Sequence, residues 1–361
     1  MAAEQQAPHP GGKVVALGPR LAEARGEAGF LGHLLYYSVA RSHLTREELA
    51  EALEDAGVDE RFLPRRISDR DAFRRAAKVA EETTPRRVPL GDPALFGGPL
   101  GGPHANVLLR EVRTTDGEII RQVVREVVDA HDVRLSYSAV AQIELLPAPT
   151  DDVEPTVKVL RFGADPENPG GPDLLPAEER AIEALLDGYE FGRRHHDSDA
   201  IRRVLHAVLS EANPVPLRGS GGLYFVPRTR EETTRSVVRL AAEVEERAAK
   251  RRSGGGRSSA VCVPLVDEEE YRDVITDSLQ KQVARESRSL VDEMGRILKA
   301  KKRLSEKRQK EFVERVRALA RNVEEYEALL ETEVSGAKAG LELAGKAAME
   351  LLTRVESQVG S

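Results

Sequence analysis

Tryptophan is absent from the 361 residues, and cysteine occurs once, at Cys262. A single thiol excludes an internal disulfide and any multi-cysteine metal cage. Aromatic residues make up only 4% of the chain, so no large aromatic core holds it. No apolar run approaches the roughly 18 residues that a membrane span needs, and Met1 to Gly12 shows no basic segment followed by an apolar one. A cytoplasmic protein with no membrane partner is expected. An excess of positive charge is missing too. The net charge is −7, so any contact with a polyanion has to be local.

What the chain does have is charge and helix. Hydrophobic residues account for 40% and charged residues for 32%, which requires much solvated helix surface, and the length suggests two or three domains. The expected fold class is α+β: an N-terminal helical block, a central antiparallel β-meander, a winged-helix-like helix/hairpin segment, and a C-terminal antiparallel coiled-coil-like helical arm. Residues 1–28, rich in Pro, Gly and Ala, read as a disordered tail. The helical block spans 29–84, a linker 85–104, the β-sheet 105–164 and the winged-helix-like segment 173–252. A flexible break with a short strand (253–266) leads to the arm, 267–358.

These assignments rest on particular residues. Thr45 and Glu48 form a capping box, Leu49 and Leu53 follow on one face, and Gly57 ends the helix. Ser68 and Asp71 open a second helix carrying Phe73. From 133 to 145, Val133, Leu135, Tyr137, Ala139, Ala141, Ile143 and Leu145 alternate with polar residues, Val140 being the exception. That period of two places Tyr137 and Ile143 in a core, with Ser136 and Gln142 on the opposite face. Asp116-Gly117 suits a type I′ hairpin, giving strands near 106–114, 118–129, 132–146 and 156–161. In the second strand, Ile120, Val124, Val127 and Val128 also fit a helix face. A helix starting near Ser198 precedes two apolar runs around a Gly-rich turn, Val215 to Val226, which is the order of a winged element.

In the arm, Phe312, Val316, Leu319, Val323, Tyr326 and Leu330 step by 4, 3, 4, 3, 4 as a heptad seam. A second seam starts at Val334 after an extra 4, so either Gly336 breaks the helix or one helix carries a stutter. Ile275, Leu279, Val283, Leu290, Met294 and Ile297 stripe an earlier helix, which a turn near 302–305 folds back. The arm is expected to fold on its own, its seam serving self-association or a protein partner.

No constellation reads as catalytic, and a non-enzymatic protein without cofactor or metal is expected. Gly340 to Lys346 mimics a phosphate-binding loop but lies in a helical seam, with Ala347 where a hydroxyl is needed. His195-His196-Asp197-Ser198-Asp199, with His206, has ligand residue types without ligand spacing, and reads as a helix end and cap. Tyr36-Tyr37-Ser38 reads as helix packing. Arg218-Gly-Ser-Gly-Gly222 offers backbone amides to a phosphate, although a hairpin turn accounts for it. The strongest feature is basic: Arg296, Lys299, Lys301, Lys302, Arg303, Lys307, Arg308 and Lys310 stand against one acid, Glu306, between acidic flanks. Compensation of the helix dipole covers bases that end the first helix, but not Lys307 to Lys310, which open the next. These eight residues and Arg218 are the candidate nucleic-acid contacts.

Leu31-Gly-His-Leu-Leu-Tyr-Tyr-Ser38, Thr45-Arg-Glu-Glu-Leu49, Phe62-Leu-Pro64, Asp71-Ala-Phe-Arg-Arg75 and Gly221-Gly-Leu-Tyr-Phe-Val-Pro227 together resemble an uncharacterised protein family of phages, plasmids and bacterial genomes. The resemblance covers roughly the first 230 residues. It implies a mobile-element or host–phage setting and carries over no catalytic residue. The expected function is that of a non-enzymatic nucleic-acid-associated or assembly protein, self-associating through its arm. The alternative is a protein–protein adaptor that binds no nucleic acid.

Overall fold

The computed structural model describes residues 29–90, 102–115, 117–148, 153–162, 174–219, 222–251, 256–299 and 305–359. The expected tail, Asp116 of the hairpin turn, the loop 165–172 and the tip residues Lys301, Lys302 and Arg303 lie outside them. In chain order come β1 (Phe30–Ser38), α1 (Arg46–Asp55), α2 (Asp69–Thr83) and β2 (Val88–Pro89). Four longer strands follow: β3 (His104–Thr114), β4 (Ile119–Val128), β5 (Arg134–Leu146) and β6 (Thr156–Arg161). Then come α3 (Pro176–Arg194), α4 (Ser198–Ser210), β7 (Val215–Pro216), β8 (Leu223–Pro227), α5 (Glu231–Ala249) and β9 (Ser259–Val266). Three long helices end the chain: α6 (Glu269–Lys299), α7 (Glu306–Leu330) and α8 (Ser335–Val359).

The fold is α+β with antiparallel sheets. It divides into two compact units, one of residues 64–196 and one joining 1–63 to 197–361. The stretch 29–84, expected as one helical block, is therefore shared between them.

In the unit 64–196 the sheet order is β2-β3-β4-β5-β6, the expected meander with a short added edge. Val107, Leu109, Ile119, Val123, Ala141, Ile143 and Leu145 pack against Phe73, Ala76 and Ala77 of α2 and Ile182, Leu185 and Tyr189 of α3. One expectation is overturned. The β4–β5 register passes from Val123↔Ala141 to Val124↔Ala139, which leaves Val140 as a β-bulge. One extra residue reverses the parity of the side chains before it, from Ala139 back to Ser136, where a second register shift follows. Ile143 is therefore fully buried while Tyr137 is 49% exposed.

In the other unit the sheet order is β9-β1-β8-β7. Phe30–Ser38 is thus a strand, not the opening of a helical block, and Tyr36-Tyr37-Ser38 is not helix packing. The sheet is covered on both faces, which suits a near-continuous apolar run instead of alternation. On one face Leu35, Tyr37, Tyr224, Val226 and Ala260 meet Leu49 and Leu53 of α1, Ile201 and Leu205 of α4, and Val237 and Ala241 of α5. On the other, Leu31, Val215, Phe225 and Leu265 meet Ile275 and Leu279 of α6, Tyr326 and Leu330 of α7, and Val334 just before α8. Gly32 is required by close approach, because a Cβ there would stand 2.1 Å from the carbonyl oxygen of Val226.

The helix and hairpin expected in the winged-helix-like segment are present as α4 and β7–β8, with β8 an inner strand hydrogen-bonded to both β1 and β7. One further expectation changes here. The arm is not a separate body, since its seam shares one core with the sheet. Phe312, Leu319, Val323, Tyr326, Leu330, Val334, Ala337, Ala344 and Ala348 are buried within the single chain. The seam breaks ahead of Gly336: α7 stops at Leu330, Glu331 takes a left-handed φ of 52°, and α8 begins at Ser335. Gly340 lies inside α8, where a Cβ would stand 3.4 Å from Cβ of Ser287. A small residue there serves helix packing, not phosphate.

Candidate nucleic-acid interface

Helix α4 buries Ile201, Val204, Leu205, Val208 and Leu209, so its outer side presents Arg202, Arg203 and His206 to solvent. Asp197 starts the helix, its Oδ1 accepting the N–H of Ala200 at 2.9 Å. The β7–β8 hairpin is closed by the N–H of Leu217 donating to the carbonyl of Leu223 at 3.0 Å, which leaves Arg218 exposed on the turn. At the end of β1, Tyr36 is 47% exposed. Tyr37 is buried and stacks on Tyr224 with ring centroids 6.0 Å apart. Burial first, and then Tyr224, push the Tyr37 hydroxyl above the ordinary phenol range against the opposing charge of Arg202, so Tyr37 stays neutral. Tyr36, Arg202, Arg203, His206, Arg218 and Tyr224 line a cavity of about 650 Å³.

His206, Arg218 and Tyr224 also wall a second cleft, of about 750 Å³, whose far side is Lys281, Gln282 and Arg285 of α6 and Arg315 and Asn322 of α7. From it a shallower groove follows α6 past Lys281, Arg285, Arg288, Asp292 and Arg296. Steps of 4, 3, 4 and 4 keep these side chains on one face, over about 22 Å of helix.

Some of these cations are neutralised at close range. Lys281 pairs with Asp277 at 2.6 Å, Arg202 with Asp199 at 2.5 Å and Arg315 with Glu293 at 2.9 Å. Others are not. Arg203, Arg218, Arg285 and Arg288 make no ion pair or hydrogen bond among the described residues, and all four are exposed. A guanidinium without an acid partner keeps its planar fork available for the oxygens of a phosphate.

Of the residues singled out in the sequence, Arg218 stands in this site and Arg296 ends the α6 stripe, its Nε donating to the Asp292 carbonyl at 3.4 Å. Lys299 is exposed at the last residue of α6, and Lys307, Arg308 and Lys310 are exposed on the opening turns of α7. Arg308 lies 3.9 Å from Glu293. Arg202, Arg203, Lys281, Arg285 and Arg288 went unread in the sequence, and His206 was read only with the histidine cluster. Summing charge over 267–293 gives an acidic segment and hides a one-sided basic stripe. A helical projection beside the apolar stripe Ile275, Leu279, Val283 gathers Lys281, Arg285, Arg288 and Arg296 on one face, with Asp292 among them. The histidine cluster is dispersed: His195 stacks on Phe191 at 4.1 Å and Asp197 is a cap. Among the described residues no group of His, Cys, Asp or Glu is placed to hold a metal ion.

A family of unknown function, DUF6744, matches residues 30–357. The chain belongs to this family. DUF6744 thus extends from β1 to α8 and takes in every residue of the groove. No curated protein and no solved structure matches the chain. Among the described residues no helix is long and apolar enough to cross a membrane.

Proposed function

We propose that this DUF6744 protein binds nucleic acid non-enzymatically, through the basic groove that runs from Arg203 and Arg218 along α6 to Arg296. The observation that carries the proposal is the convergence of four unpaired, exposed arginines from three elements on adjoining clefts. This occurs in a chain whose net charge is −7. Guanidiniums left without an acid partner are available to the oxygens of a phosphate backbone. The exposed ring of Tyr36 beside the arginines adds a face on which a base can stack. Lys299, Lys307, Arg308 and Lys310 extend the positive surface at the α6–α7 end. The sequence resemblance to proteins of phages, plasmids and bacterial genomes suggests a mobile-element or host–phage setting.

Self-association through the arm has less support, because the seam residues that suggested it lie in the chain's own core. An adaptor role without nucleic acid remains the competing reading. Salt-dependent binding of DNA and RNA by the full chain distinguishes the two, since neutralised phosphates make affinity fall steeply with salt.

A further inference from the structure

The cleft among the β7–β8 hairpin, α6 and α7 differs from the rest of the groove in its polar lining. Gln282 donates its Nε2–H to Oε1 of Glu286 at 3.0 Å. A carboxylate can only accept, so this bond fixes the orientation of the amide and turns Oε1 of Gln282 away from Glu286. That oxygen is shielded from solvent and has no hydrogen-bond partner among the described residues. Asn322 of α7 lines the same cleft, is only 8% exposed, and its Oδ1 is likewise shielded and unpartnered. Buried acceptors without donors are unfavourable and uncommon. Here two occur in one cleft, between the free guanidiniums of Arg218 and Arg285. The volume, about 750 Å³, falls in the range of small-ligand sites.

We infer that this cleft is a base-reading subsite that takes a nucleotide whose base carries an exocyclic amino group. The inference rests on the nucleic-acid reading of the groove and gives it a specific pocket. Gln282 Oε1 and Asn322 Oδ1 accept from the base, while Arg218 and Arg285 hold the phosphate. His206 and Tyr224, whose rings meet edge to face at 6.2 Å, form an aromatic wall. Adenine, cytosine and guanine offer amino donors, whereas thymine offers a single ring N–H and is the disfavoured base.

The ligand chemistry is the same whether the nucleotide is free or part of a single strand, and the test separates the two. The full-length chain is titrated calorimetrically with dAMP, dTMP and inorganic phosphate, and by fluorescence anisotropy with labelled oligo(dA) and oligo(dT). Gln282→Leu and Asn322→Leu are compared with wild type, each checked for an unchanged melting transition. Gln282 is the less buried site and serves if the Asn322 variant fails to fold. A preference of about tenfold for dAMP over dTMP and phosphate, lost in Gln282→Leu, supports a free-nucleotide site. The same preference seen only between oligo(dA) and oligo(dT) supports a strand-borne base. Equal binding of both oligonucleotides, with no binding of dAMP, overturns the subsite and leaves the groove reading intact. A base preference that survives both substitutions overturns it too. Tight dAMP binding without any oligonucleotide binding keeps the subsite and overturns the groove reading.

Discussion

Tyr326, fully buried in α7, donates its hydroxyl proton to the backbone carbonyl of Asn213 at 2.7 Å. Asn213 holds a left-handed φ of 48° just before β7, so the bond fastens the arm to the strand that carries the Arg218 hairpin. Glu325 alongside accepts from Thr229 at 3.1 Å and Arg230 at 3.3 Å. Burial, and then the charge of Glu325, push the Tyr326 hydroxyl well above the phenol range, so it remains a donor at all working pH. Tyr326→Phe is expected to cost about 1–2 kcal/mol, because it leaves a partly buried carbonyl without its donor. Urea denaturation reads this as a lower midpoint at unchanged slope.

The same docking predicts how an isolated arm behaves. A fragment of residues 267–358 exposes Ile275, Leu279 and Leu330, which in the whole chain share a core with Leu31, Phe225 and Leu265. It is expected to lose the sharp melting transition that the full chain shows by circular dichroism. A fragment that melts as cooperatively as the full chain would contradict the shared core.

In the unit 64–196, Arg125 of β4 and Glu178 of α3 form a buried fork-to-fork pair, with hydrogen bonds of 2.7 and 2.5 Å. Glu178 also accepts the N–H of Leu175 at 2.7 Å, closing the first turn of α3. The hydrogen bonds that Arg125 donates to Glu178 raise its pKa, so the guanidinium stays charged. Glu178→Ala strands a buried cation and is expected to cost about 3–5 kcal/mol. The double change Arg125→Met, Glu178→Leu is expected to recover much of that loss in thermal melting.

Asp267 and Arg272 at the start of α6 give a pH signature. The two hydrogen bonds from Arg272, at 2.5 and 2.7 Å, hold the Asp267 carboxyl below its ordinary range. A depressed folded-state pKa contributes stability that is complete above the unfolded value of about 3.9 and is lost as pH falls through the folded value. Asp267→Asn is therefore expected to be less stable than wild type at pH 7. The gap should close under strongly acidic conditions, as followed by melts across a pH series.

The bulge at Val140 yields a paired prediction and shows where the sequence was readable. Ile143→Ala should cost about 2–5 kcal/mol, and Tyr137→Ala about 0.5 kcal/mol or less. Element types and the meander were legible because caps such as Thr45 and Ser68 and alternation in β5 are local signals. The parity of Tyr137 was not, since a bulge is settled by pairing with Val123 and Val124 across the ladder. Nor was β1: a strand covered on both faces has the composition of a buried helix, and its partners lie some two hundred residues away. In the site, Arg218 and Arg296 could be read from sequence runs. Arg203, Arg285 and Arg288 could not, because only the fold brings α4, the hairpin and α6 around one cleft.

The central claim, that the unpaired arginines of the groove hold phosphates, is tested most directly by the salt dependence of nucleic-acid binding. Filter binding of duplex and single-stranded DNA and of RNA is measured from low to physiological salt. Wild type is compared with the variant Arg203→Gln, Arg218→Gln, Arg285→Gln, Arg288→Gln, whose exposed sites leave stability nearly unchanged. Each phosphate neutralised on a duplex contributes about 0.9 to the slope of log affinity against log salt, and about 0.7 on a single strand. The account predicts weaker binding by the variant and a slope lower by about 3.6 on a duplex and about 2.8 on a single strand. Equal affinity and slope for the two proteins, or no binding of any nucleic acid by wild type at low salt, would contradict it.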